Sequence, residues 1–202
     1  MDIGLVKKGY DKIAEKYLQD RNQFKNLKYL EKFIKLLKPG TKILDLGCGA
    51  GKPIDEFLIK KGFKVIGLDI SENQIELAKK NVPKGEFYLK DMSLLKRGEY
   101  QVDAIVSFYA IFHISRENHF ELFEEINSFL PKKGFILVTM GSSDWEGTEN
   151  DFHGTKMYWS HYDSMKNREI IEKAGFEILL NEIDTSGGEK HQIIIGKKVI
   201  EY

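Results

Sequence analysis

Residues 43–53 read ILDLGCGAGKP, and this stretch decides the fold. The apolar run at its start is typical of a short buried strand, and Pro53 suits the first turn of a helix. Between them, glycines at 47, 49 and 51 allow a sharp turn and close approach of a ligand to the backbone. Open parallel sheets bind ligands at such strand-to-helix turns, so the stretch predicts a nucleotide-like ligand.

The rest of the chain alternates between strand-like and helical periods. Strands are predicted at 41–46, 64–69, 86–91, 102–108 and 134–140, with helical patterns between them. A closing antiparallel pair is predicted at 176–183 and 191–200. We therefore predict an α/β fold: a doubly wound, seven-stranded, mostly parallel sheet with a C-terminal antiparallel hairpin strand.

The pattern predicts a single domain over 1–202 with two additions to the sheet. Residues 1–38 are predicted to be mostly amphipathic helix, ending at Pro39-Gly40. Residues 141–163 have no clear period and are too long for an ordinary connection. We interpret them as a functional insertion.

Composition excludes several classes of function. Lys plus Arg and Asp plus Glu both number 31, so no net charge attracts nucleic acid or anionic lipid. The single cysteine, Cys48, excludes a disulfide framework and any multi-thiolate metal site, and favours a cytoplasmic location. No apolar stretch is long enough to predict a membrane span, and the N-terminus is too charged for a signal peptide.

The spacing of the glycines argues against two phosphate-binding motifs. The dinucleotide pattern G-x-G-x-x-G requires glycine at 52, where the chain has Lys52, and no phosphate-loop motif is present. Asp45, Asp69 and Asp91 end three neighbouring predicted strands, which would repel a pyrophosphate. Asp69 follows Gly47 at the distance at which a carboxylate accepts hydrogen bonds from a ribose. The ligand is expected to carry positive charge beside a ribose and a base.

The segments ILDLGCGAGKP, VIGLDIS and FYLKDM, in this order, resemble the first three motifs of the class I S-adenosylmethionine-dependent methyltransferases. The resemblance implies a Rossmann-like methyltransferase fold and S-adenosyl-L-methionine as cofactor. The segment from Tyr10 to Tyr17 resembles the YDxxAxxY start of many small-molecule methyltransferases, which implies that residues 1–38 cover the cofactor. The residues that the resemblance and the strand-end positions assign to cofactor binding are Tyr17, Asp45, Gly47, Gly49, Gly51, Asp69, Ile70, Asp91, Met92 and Ser107.

The same resemblance places the methyl acceptor after the fourth strand. The candidates for substrate binding are Tyr109, Trp145, Tyr158 and Trp159. Neutral imidazole is a proton acceptor near neutral pH, so His113, His153 and His161 are the candidate catalytic residues, although His113 can equally be a helix cap or a core residue. No metal is predicted, because two histidines without a third ligand are poor evidence for one.

The sequence therefore predicts methyl transfer to a small-molecule acceptor by in-line displacement. The alternative is a non-catalytic adenosyl-ligand sensor or partner subunit with the same fold; a nucleotide-dependent oxidoreductase is disfavoured by the glycine spacing. The acceptor is the expected partner, with no nucleic acid and no membrane, and the chain is expected to be a monomer or a homodimer.

Overall fold

The computed structural model describes residues 3–21, 27–186 and 188–199. The strands are β1 Lys42–Leu46, β2 Lys64–Asp69, β3 Glu86–Leu89, β4 Ala104–Ser107, β5 Phe135–Gly141, β6 Trp145–Phe152, β7 Thr155–His161, β8 Phe176–Asp184 and β9 His191–Lys198. The helices are α1 Ile3–Arg21, α2 Leu27–Ile34, α3 Ile54–Lys60, α4 Glu72–Asn81, α5 His119–Phe129 and α6 Ser164–Lys173, with short 3₁₀ turns at Met92–Leu94, Ile111–His113 and Arg116–Asn118.

Seven strands form one sheet in the order β3-β2-β1-β4-β5-β9-β8. The pairings among β1 to β5 are parallel, and β9 lies antiparallel between β5 and β8. The predicted doubly wound sheet and its C-terminal antiparallel pair are confirmed. The carboxyl ends of the five parallel strands consequently meet at one edge of the sheet, where the functional site is expected.

Alternate residues of the central strands enter two different cores. Leu44 and Leu46 of β1 pack with α5 and α6, whereas Ile43 packs with α2 and α3 on the other face. This division is the period-2 alternation of a strand buried on both faces. Helix α2 is therefore part of the scaffold, because Leu30 and Phe33 are completely buried against the sheet.

Residues 141–163, interpreted from the sequence as an insertion without a clear period, contain a regular hairpin. β6 and β7 pair antiparallel and turn at His153 and Gly154, which both have positive φ (52° and 90°). Two successive residues of positive φ are the backbone of a type I′ hairpin turn. The sequence pattern does not predict this hairpin, because β6 is almost entirely exposed and has no apolar alternation.

The β6–β7 hairpin and α1 pack against each other beside the sheet. Met157 of β7 is fully buried against Val6 and Ile13 of α1 in a small cluster separate from the two main cores. Two lysines of α1 reach the turn of the hairpin, Lys12 Nζ donating to Gly154 O at 2.9 Å and Lys16 Nζ to His153 O at 3.2 Å. Together α1 and the hairpin cover the carboxyl edge of the sheet.

No described helix is long and apolar enough to cross a membrane.

Candidate active site

A cavity lies at the carboxyl edge of the sheet, between the glycine loop and α1. Eight of the ten residues predicted to bind cofactor line it: Tyr17, Asp45, Gly47, Gly49, Asp69, Ile70, Asp91 and Met92. We call it the cofactor cavity. The other lining residues of the described chain, which sequence reasoning did not assign to cofactor binding, are Ile3, Val6, Tyr10, Leu18, Cys48, Ala50, Lys52, Ile54, Gln74, Lys90, Phe108, Tyr109, Ala110, His113 and Ile114.

The glycines of the loop lack a side chain for different steric reasons. Gly47 has φ +78°, and a Cβ there would overlap the side chain of Ala110, so only glycine fits. Gly51 has φ +75° but does not line the cavity; a Cβ there would lie 2.9 Å from Val82 Cγ2. The lack of a side chain at Gly51 allows the loop to pack on α4, and the assignment of Gly51 to cofactor binding stays a prediction.

Asp69 is positioned by the backbone of the two segments beside it. The Gly49 N–H donates to Asp69 Oδ2 and the Ser71 N–H to Oδ1, both at 2.9 Å. Burial raises the pKa of this carboxyl to about 6 in spite of these bonds. Each carboxylate oxygen can accept a further hydrogen bond, so two neighbouring hydroxyls of a ligand fit it.

Gln74 is a cavity residue that sequence reasoning missed. The helix start at Ser71 is as predicted, with Ser71 Oγ accepting from the Gln74 N–H at 3.2 Å. The reciprocal bond of a capping box is not made, because the Ser71 N–H donates to Asp69 instead. The Gln74 amide is 1% exposed, neither of its polar atoms has a partner, and it lines the cavity. Such a buried amide is costly unless a ligand satisfies it.

Two more carboxyls flank the glycine loop and the third strand. Asp91 Oδ1 accepts from the Ser93 N–H at 2.8 Å and from Ser93 Oγ at 2.7 Å, which fixes it at the start of a 3₁₀ turn. Asp55 is completely buried in the first turn of α3, and burial together with the charge of Asp45 raises the pKa of Asp55 well above its usual range. Burial and the neighbouring charge of Asp45 thus both disfavour the ionised form of Asp55.

Ser107 does not line the cavity. Its hydroxyl is fully buried and donates to Leu46 O at 2.7 Å, tying β4 to β1. The Ser107 hydroxyl therefore satisfies a backbone carbonyl inside the sheet, and the assignment of Ser107 to cofactor binding stays a prediction.

His113 is the predicted catalytic histidine that reaches the cofactor cavity. His113 Nδ1 lies 2.7 Å from Tyr158 O, and Nε2 lies 2.8 Å from the hydroxyl of Tyr10. A carbonyl oxygen can only accept, so Nδ1 carries the hydrogen and Nε2 accepts from Tyr10. Burial lowers the pKa of His113 to about 4, so the ring is neutral at physiological pH.

The other two predicted catalytic histidines lie away from that cavity. His153 sits in the hairpin turn, where Nδ1 is 2.8 Å from Asp20 of α1. His161 is the last residue of β7. Its Nδ1 lies 2.5 Å from Ser143 O, and its ring lies against Gly141. Neither of them lines the cofactor cavity, but His153 lines the cavity beside it that is described next.

A second cavity adjoins the first on the side of the hairpin. Three tyrosines border both cavities, namely Tyr10, Tyr17 and Tyr109. Phe112, Phe152 and Trp159 add aromatic walls, and the remaining described lining residues are Asp20, His153, Asp184, Glu189 and His191. We call this the aromatic cavity. Trp159 also packs on His113, with ring centroids 4.4 Å apart.

Tyr109 has a strained backbone where the two cavities meet. Its φ of +58° is in the left-handed region, which bulky residues rarely adopt. The residue follows β4 at the carboxyl edge of the sheet, and its ring packs edge-on against His191 at 4.8 Å. Such strain persists where the surroundings fix it, and it is concentrated at functional sites.

Two predicted substrate residues have different positions from those expected. Trp145 is 43% exposed and lines neither cavity. The Tyr158 ring also lines neither; its hydroxyl donates to Glu146 across the hairpin, while its backbone carbonyl fixes the tautomer of His113. Alternation along β7 directs the Tyr158 side chain away from the face that carries Trp159. Trp145 is on the same face as Trp159, because Gly147 pairs with Trp159, but it lies at the first residue of β6.

Within the described ranges, no group of three or more His, Cys, Asp or Glu side chains forms a candidate metal site.

Comparison with known proteins agrees with this geometry. Residues 43–134 match the family described as a methyltransferase domain. Together with the fold and the cofactor cavity, this match decides the family. Residues 43–134 therefore form a methyltransferase domain of the class I S-adenosylmethionine-dependent type, as the motifs predict. In this methyltransferase the matched residues run from β1 to the turn before β5.

Individual relatives of this methyltransferase differ in the acceptors that their names state. Cyclopropane mycolic acid synthase MmaA2 of Mycobacterium tuberculosis is 31% identical over 50% of this chain and 37% of its own length. A ribosomal protein L11 methyltransferase of Thermotoga neapolitana is 30% identical over 68% of this chain and 50% of its own. The chain thus spans half or less of these curated relatives.

Among solved structures, a 1,6-didemethyltoxoflavin N1-methyltransferase of Burkholderia thailandensis has the same fold. That structure holds 1,6-didemethyltoxoflavin and S-adenosylhomocysteine. It superposes with a TM-score of 0.76 over 98% of this chain and 88% of that chain, at 13% identity.

Proposed function

We propose that this methyltransferase uses S-adenosyl-L-methionine to methylate a small-molecule acceptor. The observation that carries the cofactor assignment is the cofactor cavity, where Asp69 and the unpartnered amide of Gln74 lie beside the glycine loop. Two hydroxyls of a ribose would satisfy groups that the protein leaves with spare hydrogen-bonding capacity. The neighbouring Asp45 suits the cationic end of the ligand.

The remaining predicted residues take roles that follow from their positions. Ile70 lies next to Asp69 in the cavity wall, and Asp91 with Met92 forms a second wall after the neighbouring strand β3. These two walls suit the apolar faces and the exocyclic amine of an adenine. Bound S-adenosylmethionine supplies a methyl group already activated by the sulfonium, so the protein has chiefly to align the acceptor and exclude water.

The aromatic cavity is the proposed acceptor site. It adjoins the cofactor cavity through Tyr10, Tyr17 and Tyr109, and its walls combine flat aromatic rings with carboxylate and imidazole side chains. α1 and the hairpin cover it, which favours a small acceptor over a folded protein. A protein acceptor, as the name of the L11 relative suggests for that enzyme, is the second candidate.

His113 is proposed to orient Tyr10 rather than to remove a proton itself. A histidine with a pKa of about 4 is a weak base at neutral pH. By accepting the hydroxyl hydrogen of Tyr10, His113 leaves the phenolic oxygen with its lone pairs for an N–H or O–H of the acceptor. Tyr10 thereby aligns the nucleophile.

The cofactor assignment is tested by calorimetry with S-adenosylhomocysteine and NAD. The wild type should bind the first and not the second. Removing the carboxylate in Asp69→Ala should cost on the order of 1.5–3 kcal/mol, which is roughly tenfold to over a hundredfold in affinity. Asp103→Ala is the matched control, since Asp103 also accepts from a backbone N–H, that of Lys42, but at the opposite edge of the sheet. Unchanged affinity in Asp69→Ala contradicts the ribose assignment, and tight NAD binding contradicts the cofactor.

The acceptor is tested with a labelled methyl donor and fractionated cell extract. Label in the small-molecule fraction supports the proposal, and label in intact protein supports the second candidate. Binding of S-adenosylhomocysteine without any transfer would favour the non-catalytic sensor. The single domain, the monomeric or dimeric state and the cytoplasmic location stay predictions.

A further inference from the structure

Two adjacent residues of α1 contact opposite sides of the cofactor cavity. Tyr10 bonds His113, which follows β4. Asp11 bonds the start of α4, at the capping residue Ser71 and at Asn73 in the first turn. One turn of α1 thus bridges the cavity from its Asp69 side to its His113 side.

The contacts of Asp11 are numerous for a surface residue. Ser71 Oγ donates to Asp11 Oδ1 at 2.6 Å, and the Asn73 N–H donates to the same oxygen at 3.4 Å. Asn73 Nδ2 donates to the backbone carbonyl of Asp11 at 2.7 Å. Hydrogen bonds from Ser71 and Lys7 help to hold the pKa of Asp11 below its usual value against the opposing effect of burial. An ionised carboxylate accepts stronger hydrogen bonds than a neutral group does.

The segment that is hydrogen-bonded to Asp11 lies beside the residues proposed to bind the ribose. The Ser71 N–H donates to Asp69 Oδ1 while the Ser71 hydroxyl donates to Asp11. Gln74, three residues on, points its unpartnered amide into the cavity. A ligand that engages Asp69 and Gln74 therefore restrains the segment to which Asp11 is bonded.

We propose that Asp11 is a positioning residue that couples cofactor binding to the placement of Tyr10 on His113. Ligand held by Asp69 and Gln74 fixes residues 71–74, Asp11 fixes α1 on them, and Tyr10 is thereby set against His113. This inference rests on the proposed function. The resemblance of residues 10–17 to the YDxxAxxY motif does not by itself assign this role to Asp11.

The test compares three variants by calorimetry and by amide hydrogen exchange with and without S-adenosylhomocysteine. In the wild type, exchange through residues 5–20 should slow when the ligand is added, because the covering helix is held more firmly. In Asp11→Ala that slowing should be lost and affinity should fall several-fold. Asp11→Asn keeps an oxygen for Ser71 Oγ, so it should restore most of both effects.

The controls separate this role from general packing. Glu15→Ala removes an equal charge from an exposed position one turn further along α1 and should behave as wild type. Residues 27–34 should exchange equally with and without ligand, since α2 is packed in the core. Asn73→Ala, at an exposed position, should give a partial loss even if Asp11→Ala is poorly folded.

Wild-type affinity and wild-type slowing in Asp11→Ala would overturn the proposal, and so would an equal loss in Glu15→Ala. Failure of the wild type to bind S-adenosylhomocysteine would instead contradict the proposed function.

Discussion

Asp69 is a buried carboxyl for which we propose a function that requires its charge. Burial raises the pKa of Asp69 to about 6, because two backbone N–H donors do not fully replace water around the carboxylate. The folded chain therefore binds a proton at Asp69 more tightly than an unfolded chain does, and ionising this group near pH 6 works against stability. Such a cost is typical of a residue retained for binding.

The pH dependence of affinity follows from this pKa. S-adenosylhomocysteine should bind with constant affinity above pH 6, and the affinity should fall by about tenfold for each pH unit below it, because the ionised carboxylate is the better acceptor for ribose hydroxyls. Calorimetry from pH 4.5 to 8 measures the slope. Asp69→Asn should bind weakly with a much smaller slope, and a wild-type profile that is flat down to pH 5 would contradict the assignment.

At the scale of elements, α1 and the hairpin differ from the rest of the fold. The two main cores hold α2, α3, α5 and α6 on the sheet, whereas α1 and β7 share only a small separate cluster. Elements with few buried contacts open most easily, which suits a cover through which ligands must pass.

The two tryptophans of the hairpin are predicted to behave differently. Trp159 lines the aromatic cavity and packs on His113, so Trp159→Ala should lower turnover at least tenfold while affinity for S-adenosylhomocysteine stays within about threefold. Trp145 is exposed, so Trp145→Ala should keep both values. Turnover is measured with the acceptor that the labelled-donor screen finds. Equal effects of the two substitutions would show that the hairpin acts as a whole and not through the cavity.

At the scale of the whole molecule, two buried histidines link stability to pH. Burial lowers the pKa of both His113 and His119 to about 4, below the ordinary value of about 6.5. Between pH 6.5 and 4 the unfolded chain therefore binds more protons than the folded chain, so the stability these histidines contribute is lost on acidification.

His119 isolates this effect because it is buried on α5, outside the cofactor cavity. In His119→Gln, the fall in the free energy of unfolding between pH 6.5 and 4 should be shallower, by at most about 1.4 kcal/mol for each pH unit. Urea unfolding at several pH values measures it. Parallel pH profiles for the variant and the wild type would show that His119 is not the titrating group.

The sequence by itself determined the sheet, its topology class and the side of the cofactor cavity that is formed by the glycine loop and the strand-end acids. Glycine spacing and strand-end acids are local signals, and parallel strands bring their carboxyl ends to one edge whatever the details of packing. The family resemblance and the positions of Asp45, Gly47 and Asp69 follow from these signals.

Only the tertiary structure decided which side chains meet there. Tyr10 and His113 are 103 residues apart, and Asp11 lies 60 residues from Ser71. Gln74 matches a helix cap in sequence but faces the cavity because Asp69 takes the Ser71 N–H. The pairing of the exposed hairpin places His153 in the lining of the aromatic cavity and leaves His161 outside both cavities. Hydrogen-bond partners distant in the chain depend on how elements pack, and no local pattern encodes that packing.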